Sequence, residues 1–306
     1  MDLKIVYWNI RGLNDLNRRD IVKKKIKDWK PSIVLLQETK IQLCNDLIAW
    51  QCWGKRDIMW LYSHSQGSSG GILCLWDSSK IQVIDSLIGP YSITLHCKNL
   101  SNCFEWMFTG VYAPCANNTE EVNLFWREIE ETRAFWNFPW VIGGDFNELR
   151  FAHERTSGGD YTIGMIKLNS FISRHHLFDF PLIDASFTWT NNQIQSIRSR
   201  IDRILLFPAT ESVYPQVTQH SLDRPCSDHN PIAMVCEGVK HGPSPFRCEY
   251  YWFLHPKFLN FVRDMWNSFD VSGSAGFVFC KKLQLLKHHL RLWSKREYRE
   301  VDRKLE

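Results

Sequence analysis

The sequence lacks the features that mark secreted, membrane-spanning and strongly charged proteins. We expect no secretory leader from its 306 residues, and no stretch approaches about 18 uncharged apolar residues. Ten cysteines are present, but no two of them have the CxxC spacing of a zinc or redox motif. The 37 basic and 33 acidic residues leave a net charge of only +4, too small for a histone-like coat on nucleic acid. We therefore expect an intracellular protein with free thiols and no membrane partner.

The small net charge is unevenly distributed along the chain. Residues 238–306 hold 13 basic and 7 acidic side chains, whereas residues 1–237 hold 24 and 26. The apolar pattern also breaks after Glu237, at Gly242–Pro245. We expect one large domain over residues 1–237, followed over residues 238–306 by a basic, aromatic-containing helical linker.

Short apolar runs separated by turn residues dominate the large domain. Many strands with few helices favour two packed sheets with helices outside them over a helix bundle. The predicted strands are Leu3–Asn9, Ser32–Gln37, Asp57–Tyr62, Gly71–Trp76, Ile81–Ile88, Tyr91–Cys97, Phe104–Tyr112, Trp140–Gly144, Phe187–Thr190, Arg200–Leu205, Val213–Gln219 and Pro231–Cys236. The predicted helices are Asn17–Trp29, Thr119–Asn137, with Thr119 as its N-cap, and Ile163–His175.

A further helix is predicted at the end of the sequence. Leu283, Leu286, Leu290 and Trp293 recur at spacings of 3, 4 and 3 among lysines and arginines, which indicates a basic amphipathic helix over Lys281–Glu306. Its basic face is either solvated, or docks onto another domain, or contacts phosphate, and the sequence leaves these three alternatives open.

Polar residues follow several of the predicted strands, which is where sheet proteins assemble their sites. Glu38 follows an apolar strand and, with Asn9 after the neighbouring strand, would suit Mg²⁺, which prefers one or two carboxylates plus water. Alone, Glu38 also fits a plain loop carboxylate. The turn Gly143–Asn147 projects Asp145 and Asn147 in one direction if it is extended, although the same residues fit a simple Asx turn.

A histidine between a carboxylate and a short strand is the most informative of these clusters. Ser227, Asp228 and His229 stand directly before the strand that starts at Pro231. If Asp202 reaches His229 from another strand, it would orient the imidazole and favour its charged form near a phosphate. A structural histidine held by hydrogen bonds is the alternative.

Six motifs follow one another along the large domain: Trp8-Asn9, Gln37-Glu38-Thr39, Gly110–Pro114, Gly143–Asn147, Arg200–Arg203 and Ser227–Pro231. In this order they resemble the motifs of the endonuclease/exonuclease/phosphatase superfamily. The sequence of Trp8–Asn14 is similar to that in the apurinic-type endonuclease domain of plant LINE (non-LTR) retrotransposons. The sequence of Tyr250–Trp266 is similar to that of the linker before their reverse transcriptase. The resemblance implies a four-layered α/β sandwich, two mixed sheets flanked by helices, with a helical C-terminal extension.

The resemblance also implies a metal-dependent phosphodiesterase that nicks DNA as a monomer, in the nucleus if chromosomal DNA is its substrate. Glu38 would bind Mg²⁺, or alternatively Mn²⁺, with help from Asn9 and Asp228. Many members carry an acidic residue where this chain has Arg11, which places a second metal contact in doubt. We interpret Arg11 as a phosphate contact.

The remaining roles also follow from the resemblance. Asp145 would orient or deprotonate the attacking water, and Asp202 would support His229. Asn147, Tyr112 and His229 would hold the scissile phosphate.

Further contacts with DNA are expected from Thr188 and Ser227. Target choice would lie in a hairpin loop within Thr190–Ser199. Three surplus tryptophans fit either a DNA surface or core packing; they are Trp60, Trp76 and Trp189.

Two other functions remain open at this stage. The same residues would serve a phosphatase or phosphodiesterase that takes a different phosphoester. The second alternative is a non-catalytic remnant of a transposon, which would bind nucleic acid through its basic tail. The sequence has neither an aromatic-Ala-Asp-Asp motif nor a zinc knuckle, so it does not polymerise DNA, and we expect residues 238–306 to be the stub of a linker to an absent reverse transcriptase.

Overall fold

The computed structural model describes residues 3–67, 69–115, 118–193, 195–214, 216–236, 248, 250–273 and 275–297. The chain divides into two compact units, Met1–Lys240 and His241–Glu306. The Gly242–Pro245 break and the last part of the predicted C-terminal helix, residues 298–306, lie outside the described residues.

The first unit contains most of the regular structure. Its strands are β1 (Leu3–Asn9), β2 (Ile33–Gln37), β3 (Ile58–Gln66), β4 (Ser69–Asp77), β5 (Ile81–Ile88), β6 (Ser92–Asn99), β7 (Glu105–Tyr112), β8 (Trp140–Asp145), β9 (Phe178–Asp179), β10 (Leu182–Ile183), β11 (Trp189–Thr190), β12 (Arg198–Ser199), β13 (Asp202–Leu206), β14 (Val217–Ser221) and β15 (Ile232–Cys236). Its helices are α1 (Leu16–Trp29), α2 (Asp46–Trp53), α3 (Thr119–Phe135), α4 (Ile163–Arg174) and α5 (Thr210–Val213), with a 3₁₀ turn at Ala152–Glu154.

The strands form two large mixed sheets and one small hairpin. Sheet 1 has the order β10-β14-β15-β1-β2-β4-β3, and sheet 2 has the order β5-β6-β7-β8-β13-β9. The hairpin pairs β11 with β12. Most neighbours are antiparallel, but β1 runs parallel to β2, β7 to β8, and the short β10 to β14. The β1–β2 and β7–β8 pairs bring the carboxyl ends of four strands to the same edge of the sandwich.

Strand β1 lies at the centre of sheet 1 because side chains on both of its faces are apolar. Ile5 and Tyr7 point into the core between the sheets, where Tyr7 stacks on Phe108 of sheet 2 with ring centroids 5.6 Å apart. Val6 and Trp8 point the other way, into a second core. Burial of both faces is typical of strands that run beside a parallel neighbour and are covered on each side.

Helices cover the outer faces of both sheets. The second core of sheet 1 contains side chains of α1 and α2, among them Val22, Ile26 and Trp53. The outer face of sheet 2 packs against α3 and α4 through Phe125, Phe171 and neighbouring residues. The order helices, sheet 1, sheet 2, helices confirms the four-layered α/β sandwich.

The structure differs from the predicted elements at several positions, three of which lie in α2, α3 and β14. Helix α2 was not predicted, although Asn45 caps it by accepting a hydrogen bond from the Ile48 amide (3.0 Å) and Gly54 ends it with φ of +85°. The N-cap of α3 is Asn118 rather than Thr119, since the Asn118 carboxamide accepts from the Glu121 amide at 3.3 Å. The predicted strand Val213–Gln219 begins in the short helix α5, and β14 starts only at Val217.

A buried ionic network stabilises the start of β13. Arg203 is fully buried and pairs with Glu154 and, at 2.7 Å, with Asp179. Asp179 also pairs with Arg150 at 3.1 Å and with Arg200 at 2.8 Å. Because these residues come from β9, from β13 and from the segment after β8, the network fixes three segments around Asp202, the neighbour of Arg203 in β13.

The second unit has a small apolar core of its own. Tyr250–Leu254 form a 3₁₀ turn, and α6 (Phe258–Ser268) is followed by α7 (Ala275–Glu297). The core residues are Trp252, Phe258, Leu286, Leu290 and Trp293. Three members of the predicted stripe are therefore buried, whereas Leu283 is exposed. Among the described residues, no helix is long and apolar enough to cross a membrane.

Candidate functional site

The polar residues predicted from the motifs converge at one edge of the sandwich. Asn9 ends β1 opposite Gln37 of β2, so Glu38 emerges beside it. In sheet 2, Tyr112 is paired with Asp145 across the parallel strands, and Asp145 is paired with Asp202 across the antiparallel strands. The register of both sheets thus gathers side chains that are far apart in the sequence.

His229 lies between two carboxylates of sheet 2. Its Nδ1 donates a hydrogen bond to Asp202 Oδ2 at 3.0 Å, and its Nε2 lies 3.8 Å from Asp145 Oδ2. The three side chains are at most 4% exposed. The predicted contact between Asp202 and His229 is therefore present in the fold.

Burial and mutual charge shift the pKa values of this cluster. Burial raises the pKa of Asp145 to about 7, with a further rise from the charge of Asp202 and an opposing effect of His229. Burial lowers the pKa of His229, but the charges of Asp202 and Asp145 outweigh it and raise the pKa to about 9. At neutral pH the imidazole is charged, and Asp145 takes up a proton more readily than an exposed aspartate does.

Two asparagines hold Asp145 in position. Asn9 Nδ2 donates to Asp145 Oδ2 at 3.0 Å, and the backbone amide of Asn147 donates to Asp145 Oδ1 at 2.9 Å. Asn147 has a left-handed backbone (φ of +49°), and its carboxamide donates to the Ala113 carbonyl at 2.6 Å. The Gly143–Asn147 segment does form an Asx-type contact, and that contact also orients the carboxylate.

Glycine allows the close approach of the two sheets behind Asp145. Gly144 has φ of +133°, and a Cβ there would lie 2.6 Å from Gln37 Nε2 and still closer to the Val111 carbonyl. The Gln37 carboxamide donates to that carbonyl at 3.3 Å and so joins the sheets at the site. A side chain at Gly144 would separate them.

Glu38 and Asp228 lie on either side of Arg11. Arg11 Nε is 2.8 Å from Asp228 Oδ1 and 3.7 Å from Glu38 Oε2. Lys40 Nζ lies 3.4 Å from Glu38 Oε1, and the charge of Glu38 acts on Tyr112. Burial, with the charges of Glu38 and Asp145, raises the pKa of Tyr112 well above its usual range, so its hydroxyl stays protonated as a donor.

Ser227 and Thr188 both make contacts inside the protein. The Ser227 hydroxyl donates to the Asn9 carbonyl at 2.6 Å and accepts from the His229 amide at 3.2 Å. Thr188 is fully buried, and its Oγ1 accepts from the amides of Ile201 (3.1 Å) and Asp202 (3.0 Å). The predicted contact of Thr188 with DNA does not agree with this burial; the residue instead supports the start of β13.

A family comparison identifies this arrangement. Residues 6–229 match the model of the Endonuclease/Exonuclease/phosphatase family. The chain belongs to this family. The match extends from Val6 in β1 to His229 and includes every residue predicted for the site. No curated protein matches the chain.

Solved structures of similar fold include several members with different activities. The 3′ phosphatase NExo from Neisseria, bound to product DNA hairpin, has 17% identity and a TM-score of 0.58, over 77% of this chain and 100% of that one. The AP endonuclease LMAP from Leishmania major has 14% identity and a TM-score of 0.59, over 78% and 88%. The endonuclease domain of TRAS1, a telomere-specific non-LTR retrotransposon, has 13% identity and a TM-score of 0.57, over 77% and 98%. At these identities the likeness establishes the shared fold.

Members of the endonuclease/exonuclease/phosphatase family are metal-dependent hydrolases, and the described residues offer two donor sets. Asp145, Asp202 and His229 have ligand atoms within 4.8 Å of one another, but they are almost inaccessible to solvent and the imidazole is already paired. The side chains of Glu38 and Asp228 are 11% and 16% exposed, and both face the guanidinium of Arg11. Because Mg²⁺ keeps several water ligands, the second, more accessible set fits the ion better.

Sequence reasoning missed two contributors to this family site. Lys40 contacts Glu38 at 3.4 Å, and the Trp189 indole donates to Asp228 Oδ2 at 3.0 Å. Trp189 was considered as a DNA-facing residue, but nothing in the sequence connects it to Asp228. Of the other surplus tryptophans, Trp76 is buried in the core between the sheets, and Trp60 donates to Asp46.

Proposed function

We propose that this chain is a divalent-metal-dependent endonuclease that nicks DNA and leaves 3′-hydroxyl and 5′-phosphate ends. The observation that carries the proposal is the buried Asp202–His229–Asp145 cluster, with His229 Nδ1 3.0 Å from Asp202 and Nε2 3.8 Å from Asp145. A buried carboxylate with a raised pKa beside a charged imidazole suits an attack of water on a phosphodiester.

The roles of the buried residues follow from their contacts. Asp145, held by Asn9 and Asn147, is placed to orient the attacking water and accept its proton. The charged His229, held by Asp202, stabilises the negative charge that develops on the phosphate. Asn9 therefore acts on Asp145, in addition to any contact with a metal.

The more accessible residues would bind the metal and the substrate. Glu38 and Asp228 would hold Mg²⁺, or Mn²⁺ in its place, which supplies Lewis-acid stabilisation of the phosphate oxygens. Tyr112 is protonated and half-buried, so it can donate a hydrogen bond to the phosphate. Asn147 and Arg11 are the other candidate phosphate donors.

DNA is favoured as the substrate by the nucleases with similar folds and by a polar groove beside the β11–β12 hairpin. The groove, about 600 Å³ in volume, is lined by Trp189, Asn192, Arg198 and Arg224 among others. We propose that this hairpin contacts the target DNA. We also propose that the chain is related to retrotransposon endonucleases, such as that of TRAS1 and those of plant LINE elements. It would act as a monomer on nuclear DNA.

A plasmid-nicking assay tests the proposal. The purified chain should convert supercoiled plasmid to the open circle with Mg²⁺ and not with EDTA. Asp145→Asn and His229→Gln should each lower the rate by about 10²- to 10⁴-fold, the usual contribution of a positioned acid or base. Asp85→Asn, on an exposed residue of β5 that is three strands from β8 in sheet 2, should leave the rate unchanged.

Two outcomes would favour the other functions. Faster turnover of a soluble phosphomonoester than of plasmid would indicate a phosphatase with the same site. Absence of nicking and of any effect of Asp145→Asn, together with DNA binding that is lost when residues 238–306 are deleted, would indicate a non-catalytic nucleic-acid-binding remnant.

A further inference from the structure

The guanidinium of Arg11 lies at the position where a cation would contact both proposed metal ligands. Its Nε is 2.8 Å from Asp228 Oδ1 and 3.7 Å from Glu38 Oε2. The Arg11 side chain is 46% exposed, whereas the two carboxylates are 16% and 11% exposed. The cation therefore covers the two carboxylates from the solvent side.

Each carboxylate is held through its other oxygen. Asp228 Oδ2 accepts from the Trp189 indole at 3.0 Å, and Glu38 Oε1 lies 3.4 Å from Lys40 Nζ. These contacts do not involve Arg11. The two oxygens that face Arg11 are therefore positioned by the rest of the fold, and they would keep their positions if the guanidinium moved away.

The backbone of Arg11 is held by hydrogen bonds, whereas its side chain is 46% exposed. Its amide donates to Asn9 Oδ1 at 3.2 Å, and its carbonyl accepts from the Arg18 guanidinium at 2.9 Å. Arg11 has φ of +55°, an unusual backbone conformation for a residue other than glycine, and Gly12 follows with φ of +112°. Such strain persists only where the surrounding structure imposes it, and it is frequent at functional sites.

We propose that Arg11 is an internal counter-ion that occupies the cation position in the metal-free protein and leaves it when a divalent metal binds. The charge of Arg11 stabilises two neighbouring carboxylates that would otherwise repel each other. The same charge opposes metal binding, because the ion pair must break first. Once displaced, the guanidinium remains beside the metal, within reach of a substrate phosphate.

The proposal rests on the proposed function only for the assignment of Glu38 and Asp228 as metal ligands. Calorimetric titration with Mg²⁺, repeated with Mn²⁺ by electron paramagnetic resonance, measures the affinity without any substrate. We expect Arg11→Gln to lower the dissociation constant for the metal roughly three- to tenfold. This change lies between the effects of losing an exposed ion pair and of losing a buried one. Arg11→Lys, which keeps the charge, should show a smaller change.

Thermal unfolding gives a second, independent readout. In EDTA, Arg11→Gln should have a lower Tm than the parent chain, since it loses the counter-ion. In saturating Mg²⁺ the difference should shrink, because the metal replaces the guanidinium. Arg127→Gln, on an exposed arginine of α3, is the matched control and should change neither the affinity nor the Tm.

Three results would overturn the proposal. The first is an Arg11→Gln variant that binds the metal no more tightly than the parent chain, and the second is the absence of binding of either ion. The third is binding that survives Glu38→Gln but is lost in Asp202→Asn, because that would place the metal in the buried cluster. A chain that meets the expectations but does not nick plasmid would refute the endonuclease and leave the role of Arg11 standing. A chain that nicks plasmid, with an Mg²⁺ affinity insensitive to Arg11, would do the reverse.

Discussion

Nδ1 of His229 lies 3.0 Å from Oδ2 of Asp202, and both side chains are almost fully buried. Asp202 begins β13, whereas His229 stands in the loop before β15, in the other sheet. The pair therefore joins the two sheets at the site. A buried carboxylate beside the ring keeps the imidazole charged.

The alkaline limit of activity should depend on this pair. Burial lowers the pKa of His229, but Asp202 and Asp145 raise it to about 9, so a reaction that needs the imidazolium is retained below that pH and lost above it. Asp202→Asn removes one of the two charges and should move the alkaline limit down by about one to two units. Plasmid-nicking rates from pH 6 to 10 measure this shift.

The exposed pair of Asp184 and His220 is the matched control. Their contact is 2.9 Å, similar to that in the site, but Asp184 is 62% exposed. Asp184→Asn should leave the pH profile unchanged. An alkaline limit that stays in place in Asp202→Asn would mean that His229 is not the titrating group.

The acidic limit should depend on Asn9. Burial and the charge of Asp202 raise the pKa of Asp145 to about 7, and the hydrogen bond from Asn9 lowers it. A reaction that needs the carboxylate loses rate as the pH falls through this value. Asn9→Ala removes the hydrogen bond and should raise the acidic limit by about half to one unit.

The same variant separates two roles for Asn9. If the residue mainly binds the metal, Asn9→Ala will increase the Mg²⁺ concentration needed for half-maximal rate and leave the acidic limit in place. Nicking rates measured against both pH and Mg²⁺ concentration distinguish these outcomes.

Thr188 should affect stability rather than DNA affinity. Its hydroxyl oxygen accepts from the amides of Ile201 and Asp202 in the interior. Thr188→Val leaves both donors unsatisfied and should lower the free energy of unfolding by about 1 to 3 kcal/mol, as measured in urea. Thr188→Ser keeps the oxygen and should lose less. Weaker DNA binding in metal-free gel shifts, at unchanged stability, would restore the role predicted from the sequence.

Gly144 should not tolerate a side chain. A methyl group there would meet the Val111 carbonyl and Gln37 Nε2, and the residue has φ of +133°. We expect Gly144→Ala to cost about 2 to 4 kcal/mol of unfolding free energy, from strain and overpacking together. Gly158 has φ of +64° and open space around it, so Gly158→Ala should cost only about 1 kcal/mol. Equal losses would contradict the close approach of the sheets.

Arg203 should be among the most sensitive residues to substitution. It is fully buried and pairs with Glu154 and Asp179. Arg203→Met removes one charged partner from each of the buried carboxylates Glu154 and Asp179 and should cost about 3 to 5 kcal/mol. Arg198 is exposed in β12, and Arg198→Met should change stability by about 0.5 kcal/mol or less. Urea unfolding of both variants measures the contrast.

Most strands were predictable because their apolar character is local. β1, β2, β7 and β8 lie close to their predicted bounds, since burial of both faces requires apolar side chains in a continuous run. Helix α2 is short, and its caps, Asn45 and Gly54, are weaker signals than a periodic stripe. The strands β9 and β10 have two residues each, too few for any period.

The sequence by itself determined the fold class and the identity of the polar residues at the site, because apolar runs and motif order are properties of neighbouring residues. Only the tertiary structure decided what these residues contact. Thr188 is held in the interior by the backbone amides of Ile201 and Asp202, and Arg11 pairs with Asp228 across 217 positions of sequence. Such contacts depend on how the two sheets pack and on the register of their strands, which no local pattern encodes.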